Sequence, residues 1–191
     1  MKKLFLMGRS EAGKTSLTQI LSGEELHYHK TQYTNTGTDI IDSPGEYSET
    51  KRCGLGLACC ALNPGLINRA AILYPFLSDF KLVWDLGADE IAYEGIRYYA
   101  RWFDADEHQQ DRWFRQLGYI DSKNFATLVQ CPVLFGTGLE DVICPPQTQC
   151  AVYNNLHCKK KRYLFPGYGH EEIAEFDDML LDFFCKEEAV L

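Results

Sequence analysis

Gly8-Arg9-Ser10-Glu11-Ala12-Gly13-Lys14-Thr15 has the spacing G-x-x-x-x-G-K-[ST] of a phosphate-binding loop. Each residue type has a task there. The glycines let the backbone wrap an anion with its N–H groups, and a helix starting at Gly13 presents its positive N-terminus to the same charge. Lys14 can reach the outer phosphates, and the Thr15 hydroxyl can ligate Mg²⁺, with Ser16 completing the candidate nucleotide-binding set. Asp42-Ser43-Pro44-Gly45 then supplies the D-x-x-G form, in which Asp42 holds Mg²⁺ through water and the Gly45 amide meets a terminal phosphate. Thr31 and Thr34 both stand in the polar tract between, where a threonine that senses the phosphate would fall, and the spacing does not choose between them. The ligand implied is GTP or ATP with Mg²⁺.

A second chemistry stands far downstream. Asp141 and His170 each follow a strand-like run, in the order acid then histidine by which a carboxylate orients a general base. From the residues alone, two surface-loop side chains are an equal alternative. Other candidates carry less. His27 and His29 could share one face of an extended segment, but no third metal ligand is near. The 8 cysteines include no Cys-x-x-Cys pair, and they read as reduced, buried small hydrophobes of a cytoplasmic protein.

These groups need a framework to hold them. With 191 residues, 46% hydrophobic, the chain can bury one sizeable core. A net charge of -8 argues against nucleic acid or an anionic membrane surface as partner. The N-terminal apolar run is too short for a signal peptide, and no stretch approaches the roughly 20 apolar residues of a membrane helix. Strands are expected at residues 3–7, 40–41, 70–74, 132–136 and 162–165, and helices at 13–21, 54–62, 148–156 and 172–184. Residues 27–38 read as a loop, and 81–125 as an aromatic-rich helical cover. Strands alternating with helices predict an α/β fold with a mostly parallel sheet covered on both faces.

Two resemblances follow from particular residues. The run from Met7 to Gln19, then Gly23-Glu24-Glu25-Leu26-His27-Tyr28, Lys30-Thr31-Gln32 and Ile41 to Tyr47, resembles the small EutP/PduV P-loop NTPases of ethanolamine and propanediol utilisation. That resemblance covers residues 1–52 and implies a Ras-like sheet, with nucleotide binding tied to metabolism in bacterial microcompartments. The Asn/Thr-Lys-x-Asp tetrapeptide that reads guanine in such proteins does not occur here.

From Gly54 to Phe184 the chain resembles the acetyl xylan esterase and cephalosporin C deacetylase group of α/β-hydrolases. The runs that carry it are residues 54–62, 74–80, 98–104, 138–146 and 166–171. By resemblance Asp141 is the orienting acid, His170 the base, and an acetylated sugar ester the substrate. The nucleophilic serine of that fold sits on a sharp G-x-S-x-G turn before the helix. Counting back from Gly54 places Thr50 there, with bulky Lys51 and Arg52 where the turn needs small residues. Ser10, in Gly8-x-Ser10-x-Ala12, has the local form of such a turn, but a loop that wraps an anion does not project a side chain.

The chain thus reads as a P-loop strand–helix unit at 1–52 joined near residues 50–54 to the C-terminal part of an α/β-hydrolase at 53–191. Three functions are open: nucleotide binding, impaired ester hydrolysis, or a fused product without selected activity. In the last case an incomplete sheet would leave an edge uncovered and drive pairing into a homo-oligomer.

Overall fold

The computed structural model describes residues 4–6, 35–36, 40–42 and 52–185, apart from Leu77 and Glu107. Their strands fall into two three-stranded sheets. In the first, β1 (Leu4–Leu6) runs parallel to β3 (Ile40–Asp42), and β2 (Asn35–Thr36) lies antiparallel along the other edge of β3. β2 falls in the tract expected as loop. A ladder is made by backbone groups, so Asn35 and Thr36 can pair with Asp42 and Ile41 without offering anything to a core. The helix expected at 13–21 lies outside the described residues.

The second sheet is parallel throughout, in the order β4 (Ala70–Leu73), β5 (Val133–Gly138), β6 (Lys160–Phe165). α1 (Arg52–Leu62) precedes β4, and α6 (Pro146–Asn155) connects β5 to β6. β5 is central and buried at every position, which explains its apolar run Val133-Leu134-Phe135. Alternate residues serve opposite faces. Val133 and Phe135 join Leu57, Ile72, Val152 and Leu156 in one core cluster. Leu134 joins Phe76, Val83, Phe165 and Phe176 in the other. A side chain as fully buried as Phe135 contributes about 1.5–3 kcal/mol. β6 begins two residues before the expected start. Its edge position tolerates Lys160 and Lys161, and the Lys160 ammonium donates to the carbonyls of Tyr153 and Leu156, at the end of α6.

The aromatic stretch holds four short α-helices: α2 (Phe80–Asp85), α3 (Glu94–Phe103), α4 (Gln110–Leu117) and α5 (Ser122–Ala126). The chain turns after α2 at Gly87, where φ is 64°. Trp113 is buried, packs against Trp84 and Phe114, and donates its indole N–H to the Asp104 carboxylate at 2.9 Å. Tyr98, Trp102 and Phe103, by contrast, are exposed. Asp121 ties the start of α5 to the start of α2 by accepting the N–H groups of Asp79, Phe80 and Lys123, while burial pushes its carboxyl above the usual carboxylate range. Finally, α7 (Ala174–Cys185) packs Phe176 and Phe183 on the second cluster. Among the described residues no helix is long and apolar enough to cross a membrane.

Candidate active site

The ends of β5 and β6 explain how an acid and a histidine 29 positions apart meet. The strands are parallel with Gly138 opposite Phe165, so the chain leaves both at the same edge of the sheet. The two exit turns are then stitched together. Leu139 N–H donates to the Phe165 carbonyl at 3.1 Å, and Glu140 N–H to the Tyr168 carbonyl at 2.9 Å. This close approach requires glycine at 138, where a Cβ would stand 2.6 Å from the Gly169 carbonyl oxygen. Asp141 follows one turn and His170 the other.

Asp141 is 2% exposed and fully engaged. Its Oδ1 accepts the N–H groups of Ile143 at 2.9 Å and Cys144 at 2.7 Å. Its Oδ2 accepts Gln149 Nε2 at 3.1 Å and meets His170 Nδ1 at 2.9 Å. A carboxylate surrounded by donors can only accept, so Nδ1 carries the proton and Nε2 of His170 is left with a lone pair for proton transfer. Gln149, on α6, is held in turn by its bond to the Cys144 carbonyl at 2.6 Å. Pro145 and Pro146, at the start of α6, hold the loop that carries these groups. Tyr93 braces the same loop by donating its hydroxyl to the Ile143 carbonyl at 2.7 Å, and burial pushes its phenol well up.

A third strand end completes the site. Tyr74, directly after β4, adopts a positive φ of 53° and lays its ring 4.9 Å from that of His170. For a bulky residue this conformation is costly, and it belongs to sites that the surrounding structure enforces. Asp141, Cys144 and His170 also bring carboxylate, thiol and imidazole atoms within 4.8 Å of one another, a set that could hold a metal ion. The four donors already on Asp141 suit an acid–histidine pair better.

The structure therefore joins Asp141 to His170 as expected and adds Tyr74, Cys144, Gln149 and Tyr93. Nothing in their spacing pointed to these four. Gln149 is eight residues from Asp141 and enters only because α6 folds back over the loop. Of the phosphate-site candidates, Asp42 is described at the end of β3, opposite Leu6. Gly8, Gly13, Lys14, Thr15, Ser16 and Gly45 lie outside the described residues, as do Thr31, Thr34, His27, His29, and the nucleophile candidates Ser10 and Thr50.

A parallel sheet covered by helices, with an acid after one strand and a bonded histidine after the next, defines the C-terminal part of an α/β-hydrolase. The chain belongs to the acetyl xylan esterase (AXE1) family, whose sequence model matches residues 46–187. A second model, ethanolamine utilisation - propanediol utilisation (PduV-EutP), matches residues 1–72. The two matches overlap around the expected join. Acetyl xylan esterase 1 from Thermoanaerobacterium sp. JW/SL YS485 superposes with a TM-score of 0.66 at 44% identity, over 69% of this chain and 41% of that one. The acetyl xylan esterase from Paenibacillus sp. R4 gives 0.65 at 30% identity, over 69% of this chain and 41% of that one. Propanediol utilization protein PduV of Citrobacter freundii is 53% identical over 84 residues, 42% of this chain and 56% of that one. The chain thus spans less than half of either esterase and little more than half of PduV.

Proposed function

We propose that this chain binds the phosphates of GTP or ATP, with Mg²⁺, through Gly8, Gly13, Lys14, Thr15, Ser16, Asp42 and Gly45. The register of β1 and β3 carries the reading. Leu6 pairs with Asp42 in a parallel ladder, so the strand that leads into the phosphate loop and the strand that ends in the acid finish side by side. A hydroxyl and a carboxylate are the hard oxygen donors that Mg²⁺ accepts, so the residues fit the ion. Thr15 and Asp42 would hold the ion, whose charge would offset that of the phosphates, and Lys14 and the loop amides would hold the phosphates themselves. The 53% identity to PduV over 84 residues agrees with the resemblance of residues 1–52 to P-loop NTPases, and we place that unit, with the hydrolase unit at 53–191, in the cytoplasm.

The test is a thermal-shift titration with Mg²⁺ and each nucleotide. Ligand at a hundredfold excess over Kd stabilises the folded chain by about 2.7 kcal/mol, and Lys14→Ala removes that shift for both nucleotides. No shift at millimolar nucleotide sinks the proposal.

The His170–Asp141 bond of 2.9 Å favours a second reading, a weak hydrolase of acetylated sugar esters. His170 is oriented to take a proton from an attacking hydroxyl. On this reading an aryl acetate is turned over and His170→Ala lowers the rate at least a hundredfold. Turnover unchanged by that substitution excludes the reading.

A further inference from the structure

Gln149 commits both of its amide hydrogens to the loop that carries the acid. One goes to the Cys144 carbonyl at 2.6 Å and the other to Asp141 Oδ2 at 3.1 Å. Oδ2 is also the oxygen that meets His170 Nδ1, at 2.9 Å, whereas Oδ1 is taken by the N–H groups of Ile143 and Cys144. Two side-chain donors thus share one carboxylate oxygen.

The Gln149 side chain is fully buried, and its Oε1 has no hydrogen-bond partner among the described residues. That orphan oxygen follows from the geometry. Turning the amide over would set Oε1 against the Asp141 carboxylate and the Cys144 carbonyl, neither of which can donate. A buried oxygen left without a donor costs stability, so the side chain is held by its nitrogen at the expense of its oxygen. Val152, one turn further along α6, is buried in the first core cluster and fixes the helix from which Gln149 reaches the loop.

We propose that Gln149 is a positioning residue of the acid–histidine pair: it fixes the carboxylate with Oδ2 toward His170 and, by sharing that oxygen, tempers its pull on the Nδ1 proton. Each hydrogen bond to a carboxylate oxygen draws on the same negative charge, so a second donor leaves less for the first. The consequence falls on the return of the proton. His170 takes a proton at Nε2 when a hydroxyl attacks an ester and gives it to the leaving alcohol. A carboxylate that pulled harder on the charged ring would hold back that second transfer. For this consequence the inference rests on the hydrolase reading. Its test reads the imidazole and not turnover, so the two can fail separately.

The experiment is proton NMR of the full chain, with Gln149→Met as the variant that keeps the length of the side chain and removes the donor. In the wild type a cross-peak is expected between a Gln149 Nε2 proton and the His170 Nδ1 proton, because both point at Asp141 Oδ2. In Gln149→Met the Nδ1 proton moves downfield, since Oδ2 is left to the imidazole alone. A Nδ1 resonance that stays in place while the denaturation midpoint falls assigns Gln149 a structural role only and overturns the proposal. A move upfield, or loss of the resonance in a folded variant, overturns it as well. Should the variant fail to fold, the wild-type cross-peak decides, and its absence refutes the shared oxygen.

Discussion

Gly138→Ala lowers the stability of the hydrolase part by about 3 kcal/mol or more and pulls His170 away from Asp141. The added methyl group would stand 2.6 Å from the Gly169 carbonyl oxygen, 2.7 Å from that of Tyr168 and 2.9 Å from the Tyr74 ring. Two of these three are backbone atoms, which no rotamer change can move. The turn after β6 must shift, and the bond from Glu140 N–H to the Tyr168 carbonyl goes with it. Gly136→Ala is the internal control. Its methyl would meet Leu73 Cδ1 at 2.6 Å and the buried Phe176 ring at 3.0 Å, side-chain atoms and not backbone, so the cost there is that of moving packed side chains without a shift of the exit turns. Denaturant midpoints at unchanged slope measure both variants. A Gly138→Ala loss no larger than that of Gly136→Ala refutes the account.

Asp141→Ala costs about 3–5 kcal/mol, because four donors lose their acceptor at once inside the protein. These are the N–H groups of Ile143 and Cys144, the Gln149 amide and the His170 ring. For a domain stable by about 5–15 kcal/mol this is a large share of the total. Asp141→Asn separates the structural role from the orienting one. Its carbonyl oxygen can keep the two backbone donors, but its amide nitrogen now faces Gln149 and His170 as a donor. The imidazole must then accept through Nδ1 and carry its proton on Nε2, the tautomer that cannot act as base toward an ester. Nitrogen NMR of His170 reads the exchange directly. A histidine that keeps Nδ1–H in Asp141→Asn would show that the carboxylate does not set the tautomer.

Sequence patterns supplied much of this. The apolar run of β5 and the α/β alternation were visible because buried parallel strands need unbroken apolar residues, whereas the two family resemblances rest on particular motifs such as Gly8 to Thr15 and residues 138–146 and 166–171. The same patterns missed β2, because a two-residue ladder leaves no hydrophobic signature. They gave helices over 81–125 without their limits, since aromatic content does not reveal that Gly87 turns the chain or that Asp104 and Asp121 tie the separate helices down.

For the candidate site the division is sharper. Sequence alone determined the residue types and their order: the G-x-x-x-x-G-K-T spacing at Gly8 to Thr15, Asp42 after it, and then Asp141 and His170, each after a strand-like run. It left the last two at even odds as mere loop residues, because order along a chain does not measure distance. Tertiary structure decided that Asp141 and His170 touch, by running β5 and β6 parallel and joining their exit turns. It also decided that Tyr74 reaches His170 and Gln149 reaches Asp141, contacts that no local spacing announced. Local spacing reports what one segment can do by itself. Which segments meet is settled by strand register and by the burial of a common core.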